Sequence, residues 1–123
     1  MQDTKCRQLD GVIRRRQCGS GLVRRAGASP YPVILAGDFN VPPLSRTYYI
    51  LKRGLRDCFL ETSFLRYGTT YPLRAAADAE DASFSPGVRI DYIFCSPSLT
   101  PLTSEVISTA ASDHYPLRCT LGY

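Results

Sequence analysis

Residues 33–40 read VILAGDFN, and the fold turns on how this stretch is taken. Val33 to Ala36 is a continuous apolar run, the pattern of a strand covered on both faces. Gly37 then lets the backbone turn away, and an acid and an amide follow two positions apart. By the two-residue period of extended chain, Asp38 and Asn40 are same-side neighbours facing one pocket. Gly, Asp and Asn are also turn formers, so Asp38 capping the next segment is the plain structural alternative.

Downstream, Pro42 and Pro43 forbid helix, and Ser45 is a suitable N-cap for a helix through Lys52 that ends at Gly54. That helix buries Tyr48 or Tyr49, together with Leu51 and Leu55. TTYP, Thr69 to Pro72, reads as a short strand before the loop LRAAADAEDASFSPG. Val88 to Ser96, VRIDYIFCS, reads as one strand. Val88, Ile90, Tyr92 and Phe94 lie on one face; Arg89, Asp91, Ile93 and Cys95 lie on the other. LTSEVIST and YPLRCTL supply two final strands. Upstream, Cys6, Leu9, Val12 and Ile13 recur at helical spacing opposite a run of arginines, predicting a short amphipathic helix that stops at Gly19 and Gly21. The order of elements argues for a mixed α/β layer structure.

With 123 residues, 44% hydrophobic and 21% charged, the chain has the size and composition of one ordinary domain. Its net charge of +4 is unevenly spread: residues 1–29 hold seven basic and two acidic side chains, and the remainder is almost balanced. The segment reads as a basic helix and loop ahead of a main unit at 30–123. It suits either a phosphate backbone or a solvated helix face. The five cysteines are odd in number, widely spaced and never a CxxC pair, which argues against a disulfide framework and against zinc. Cys95 and Cys119 read as small core residues, the others as incidental. No apolar run approaches the roughly 18 residues that span a bilayer. The N-terminus MQDTKCRQLDGVIRRR is too charged for a signal-peptide core, so a cytoplasmic protein is expected.

Three places defy core packing. Asp38 and Asn40 end an apolar strand, Asp91 lies within one, and Asp113 and the only histidine, His114, precede the last. A carboxylate in a buried strand costs several kcal/mol unless it is paired or binds a metal. His114 is the obvious partner for Asp91, with Arg89 and Arg118 as alternatives. Taken singly, each signal has an ordinary explanation as turn, salt bridge or capped loop; three in order, each at a strand edge, do not.

VILAGDFN, RIDYIF and SDHYPL, with TTYP ahead of the second, resemble the C-terminal motifs of the endonuclease/exonuclease/phosphatase superfamily, the deoxyribonuclease-I-like fold. The resemblance covers nearly all of Pro32 to Leu121, and CRQLDGVIRR is similar to the helix before the first motif. It implies a four-layer α/β sandwich with mostly antiparallel mixed sheets, of which this chain would be the second half, hydrolysing phosphate esters with magnesium or manganese. Carried over by motif, Asp38 orients or deprotonates the attacking water and is itself a metal-site residue. Asn40 holds a phosphate oxygen and the water. His114 contacts the scissile phosphate with Asp91 behind its ring, and Asp113 is a metal ligand or its neighbour.

These residue types suit that chemistry. Phosphate-ester hydrolysis needs an activated water, a cation on the phosphate oxygens and a positioned donor, and carboxylate oxygens suit a hard ion. A carboxylate behind His114 fixes its tautomer and raises its pKa. Consecutive Ser112, Asp113 and His114 point to alternating sides of extended chain and cannot act as a hydrolase triad.

The superfamily domain is about twice this length, and its first half supplies a metal-binding Glu with no counterpart here. Glu61, Glu80 and Glu105 do not end an apolar strand upstream of GDFN. The resemblance therefore implies weak magnesium binding, a bare apolar sheet face, and a partner chain or N-terminal half to cover it. Substrate is open among DNA, RNA, phosphoinositides, sphingomyelin and smaller phosphodiesters. The arginine-rich segment leans toward nucleic acid, and Tyr71 and Phe84 are either base-stacking or packing residues. A non-catalytic interaction module is the alternative.

Overall fold

The computed structural model describes residues 11–63, 66, 68–73 and 86–123. Cys6, Leu9, Glu80, Phe84 and most of the loop after Leu73 lie outside these residues. In chain order the elements are α1 (Gly11–Ala28), β1 (Ile34–Asp38), α2 (Arg46–Lys52), β2 (Arg56–Asp57), α3 (Cys58–Thr62), β3 (Tyr71–Pro72), β4 (Gly87–Val88), β5 (Asp91–Cys95), β6 (Thr100–Val106) and β7 (Leu117–Gly122). β1 and β2 flank β5, and β3–β4 and β6–β7 form two-stranded sheets. All four pairings are antiparallel.

β5 is the spine because its two faces bury different layers. Tyr92 and Phe94 stack at 5.3 Å and join Val41, Tyr48, Leu51 and Leu55 in one core cluster, with Leu22, Val23 and Ala26 of α1 packed against it. On the opposite face Cys95 packs with Cys58 and Leu99, and Ile93, Cys119 and Leu121 close over them. Cys58 is therefore a core residue, not an incidental one. α2 begins where its sequence signal lies: Ser45 caps it by accepting the Tyr48 N–H at 3.2 Å, and Tyr48, not Tyr49, is the buried tyrosine.

Three expectations are corrected. First, α1 does not stop at Gly19 and Gly21 but runs through both to Ala28. Each glycine costs a helix roughly 1 kcal/mol relative to alanine, and the packing of Leu22, Val23 and Ala26 against the core cluster supplies the compensation. The close approach of α1 to the end of α2 comes at Gly54, where a Cβ would fall 2.6 Å from Val23 Cγ1. Arg24 and Arg25 remain exposed on α1. Second, Val88 to Ser96 is two strands, because the chain leaves β3–β4 after Val88 and enters the main sheet at Asp91. Third, β1 is covered on one face only: Leu35 packs against the core cluster, but Ile34 is 57% exposed and Ala36 is exposed. Among the described residues no helix is long and apolar enough to cross a membrane.

Candidate active site

The ladder between β1 and β5 sets Asp38 directly opposite Asp91. Opposed residues share a face, so two carboxylates are held side by side, an arrangement that is unfavourable without positive charge between or beside them. His114 enters from the loop before β7, and its Nδ1 lies 2.8 Å from Asp91 Oδ2. One ligand atom from each of Asp38, Asp91 and His114 falls within 4.8 Å of the others. Ser112 Oγ accepts the His114 N–H at 3.1 Å, and Tyr71 meets the imidazole edge-on with ring centroids 5.1 Å apart. Asp91 and His114 line a cavity of about 360 Å³ whose apolar walls include Ala36, Ile93, Pro116 and Leu117.

The Asp91 hydrogen bond holds the His114 pKa above its ordinary 6.5, partial burial opposes it, and the charges of Asp91, Asp38 and Asp113 add to the rise. With Nδ1 donating to Asp91, Nε2–H is left as the ring's second donor. The sole histidine is expected to titrate above pH 6.5 in the C2-proton NMR spectrum, and Asp91→Asn to bring its midpoint down. Because the folded-state value is raised, the pair's contribution to stability is complete below about pH 6.5. It is lost as pH rises through the folded-state pKa.

The other candidates are arranged differently. Asn40 is exposed and has φ +51°, a left-handed conformation that asparagine tolerates, so the two-residue alternation ends at Asp38. Its backbone N–H donates to Asp38 Oδ1 at 2.7 Å: the turn reading of GDFN and the acidic-site reading hold together. Gly37 has φ +145° with open space where a Cβ would be, so backbone conformation requires glycine, not close approach. Asp113 is exposed, 3.4 Å from Ser112 Oγ, and lies outside the group of three, although its charge acts on His114.

Neither alternative base pairs with Asp91. Arg118 is bound to Glu105. Arg89 Nη1 reaches both oxygens of Asp57, at 3.0 and 2.9 Å, and the pair is buried. Asp57 also accepts from the Tyr48 hydroxyl at 2.7 Å and from the N–H groups of Phe59 and Leu60. This network was hidden in the sequence, where the only hint was a charged residue placed inside the apolar strand pattern ahead of Asp91.

The donor set fits a hard divalent cation. Asp38 and Asp91 offer carboxylate oxygens on one accessible face, and magnesium characteristically takes one or two carboxylates and completes its shell with water and substrate oxygens. One imidazole, already engaged by Asp91, does not make a zinc site.

A family model described as Endonuclease/Exonuclease/phosphatase family matches residues 6–114. The chain belongs to that family. No curated protein matches it. Among solved structures, this endonuclease/exonuclease/phosphatase chain superposes on a mannosyl-6-phosphatase of Bacteroides thetaiotaomicron VPI-5482 with a TM-score of 0.67 and 23% identity, over 91% of its own length and 45% of the phosphatase. On D. rerio TDP2 complexed with a single-strand DNA product, the TM-score is 0.67 and the identity 20%, over 93% and 52% of the two chains. A functionally unknown conserved protein of Enterococcus faecalis V583 gives 0.69 at 17% identity, over 90% and 45%. The chain therefore spans about half the length of the structures it matches, and its mixed helices and antiparallel sheets are the α/β fold of the family.

Proposed function

We propose that this chain is the C-terminal half of a divalent-metal-dependent phosphoesterase and carries its His114–Asp91 donor and its Asp38 carboxylate. The observation that supports this reading is the convergence of Asp38, Asp91 and His114, from three separate stretches of sequence, within 4.8 Å. Asp91 favours the protonated form of His114 and fixes its orientation, so that Nε2–H donates to a phosphate oxygen as negative charge develops. Asp38 accepts the proton of the attacking water and orients it. Asn40, on the adjoining turn, is the group for a phosphate oxygen. Asp38 and Asp91, with Asp113 beside the site, would hold magnesium or manganese, whose charge would neutralise the phosphate oxygens. The phosphate ester is a phosphodiester or phosphomonoester, with nucleic acid a natural candidate given the basic α1.

The uncovered Ile34 and Ala36 favour a second reading, in which the half-domain acts through association with another chain. Hydrolysis of bis(p-nitrophenyl) phosphate and p-nitrophenyl phosphate with magnesium or manganese separates the two. Metal-dependent turnover abolished by His114→Ala and Asp38→Asn supports the first. A folded preparation without turnover supports the second.

A further inference from the structure

The crossing from β4 to β5 carries the chain from one sheet to another, and such a crossing leaves backbone groups without ladder partners. Two of them are adjacent: the N–H of Ile90 and the N–H of Asp91. Both donate to the same atom, Thr70 Oγ1, each at 3.1 Å. Thr70 is fully buried, so no water can replace it without opening the core, and a buried N–H without an acceptor is costly.

The backbone of Thr70 extends the same connection. Its N–H donates to Val88 O at 3.1 Å, prolonging the β3–β4 ladder, and its carbonyl accepts the Tyr115 N–H at 2.6 Å. Tyr115 directly follows His114. One residue thus binds the backbone of Asp91 on one side and the backbone next to His114 on the other. The next residue, Tyr71, supports the imidazole with its ring. The 2.8 Å contact of His114 Nδ1 with Asp91 Oδ2 closes the loop.

We propose that Thr70 is a positioning residue for the Asp91–His114 pair, acting through its hydroxyl as the shared acceptor at the sheet crossing. This rests on the phosphoesterase reading only for its effect on turnover. Valine keeps the shape of threonine and removes the acceptor; serine keeps the acceptor and removes a methyl group.

The test reads His114 directly, since it is the only histidine. In a long-range 1H–15N spectrum at high pH, wild-type and Thr70→Ser are expected to show the Nδ1–H tautomer held by Asp91. Thr70→Val is expected to revert to the Nε2–H form that an unrestrained imidazole prefers. Leu99→Ala, in the cysteine-lined cluster, serves as an equally destabilised control that keeps the Nδ1–H form. For metal-dependent hydrolysis, Thr70→Val is expected to lower kcat about 10–100-fold, with KM little changed and serine restoring the rate. A folded Thr70→Val that retains the Nδ1–H tautomer overturns the proposal.

The wild-type protein provides a reading that needs no variant. Slow amide exchange at Ile90, Asp91 and Tyr115 is expected, and fast exchange at Ile90 or Asp91 overturns the assignment. If wild-type hydrolyses no phosphate ester, the phosphoesterase reading fails while the tautomer and exchange measurements still decide the role of Thr70.

Discussion

Arg89→Met is expected to lower the unfolding free energy by about 3–5 kcal/mol, the usual consequence of removing one partner from a buried ion pair. Asp57 would remain as an uncompensated charge with none of its surface exposed. The loss is a large share of the 5–15 kcal/mol that a domain of ordinary stability possesses. The guanidinium also lies 4.7 Å from the ring centroid of Tyr92 and 5.3 Å from that of Phe59, so lysine should restore the charge without the stacking and recover only part of the loss. Urea denaturation measures each change as a shift in midpoint at constant slope. The double variant Arg89→Met with Asp57→Asn should be more stable than Arg89→Met alone, because a neutral amide replaces the bare carboxylate. If it is not, packing around the two rings outweighs the charge.

The second large effect concerns turnover. On the phosphoesterase reading, His114→Ala removes one donor aimed at developing phosphate charge, worth about 10²–10³ in kcat. Asp38→Asn removes the proton acceptor for water, worth about 10²–10⁴. Both side chains are accessible, so neither substitution should greatly alter the unfolding midpoint, which separates lost chemistry from lost structure. Asp91→Asn should fall between wild-type and His114→Ala, because the imidazole survives but loses its orienting charge. A His114→Ala protein that retains wild-type kcat would remove His114 from the chemistry altogether.

What could be read from sequence was what local chemistry determines. Ser45 caps α2 because its hydroxyl needs only the N–H three residues on. Asp91 required a partner because a carboxylate in an apolar strand cannot stand alone, and one histidine was available. What escaped depended on tertiary contact. α1 continues past Gly19 and Gly21 because Leu22, Val23 and Ala26 pack against the cluster that holds Tyr48, Leu51 and Leu55, contacts that no window of local sequence contains. Asp57 and Arg89 each resemble a surface residue, and their pairing across 32 positions left no periodic trace. The left-handed backbone of Asn40 escapes a reading in which extended chain continues past Asp38, although asparagine is among the residues that adopt it most readily. Thr70 looked like one more strand residue in TTYP, and only the break between β4 and β5 gives its hydroxyl two donors.

Asp57 has a consequence for how the molecule opens. Its two oxygens are shared among the first turn of α3, the hydroxyl of Tyr48 on α2, and Arg89 at the β4–β5 crossing. None of the three can separate from the others without stranding a buried charge. They should therefore melt as one cooperative unit rather than as independent pieces. The entrance to β5, and Asp91 with it, then belongs to the slowest-exchanging part of the protein, although Asp91 itself stands at the edge of an open cavity.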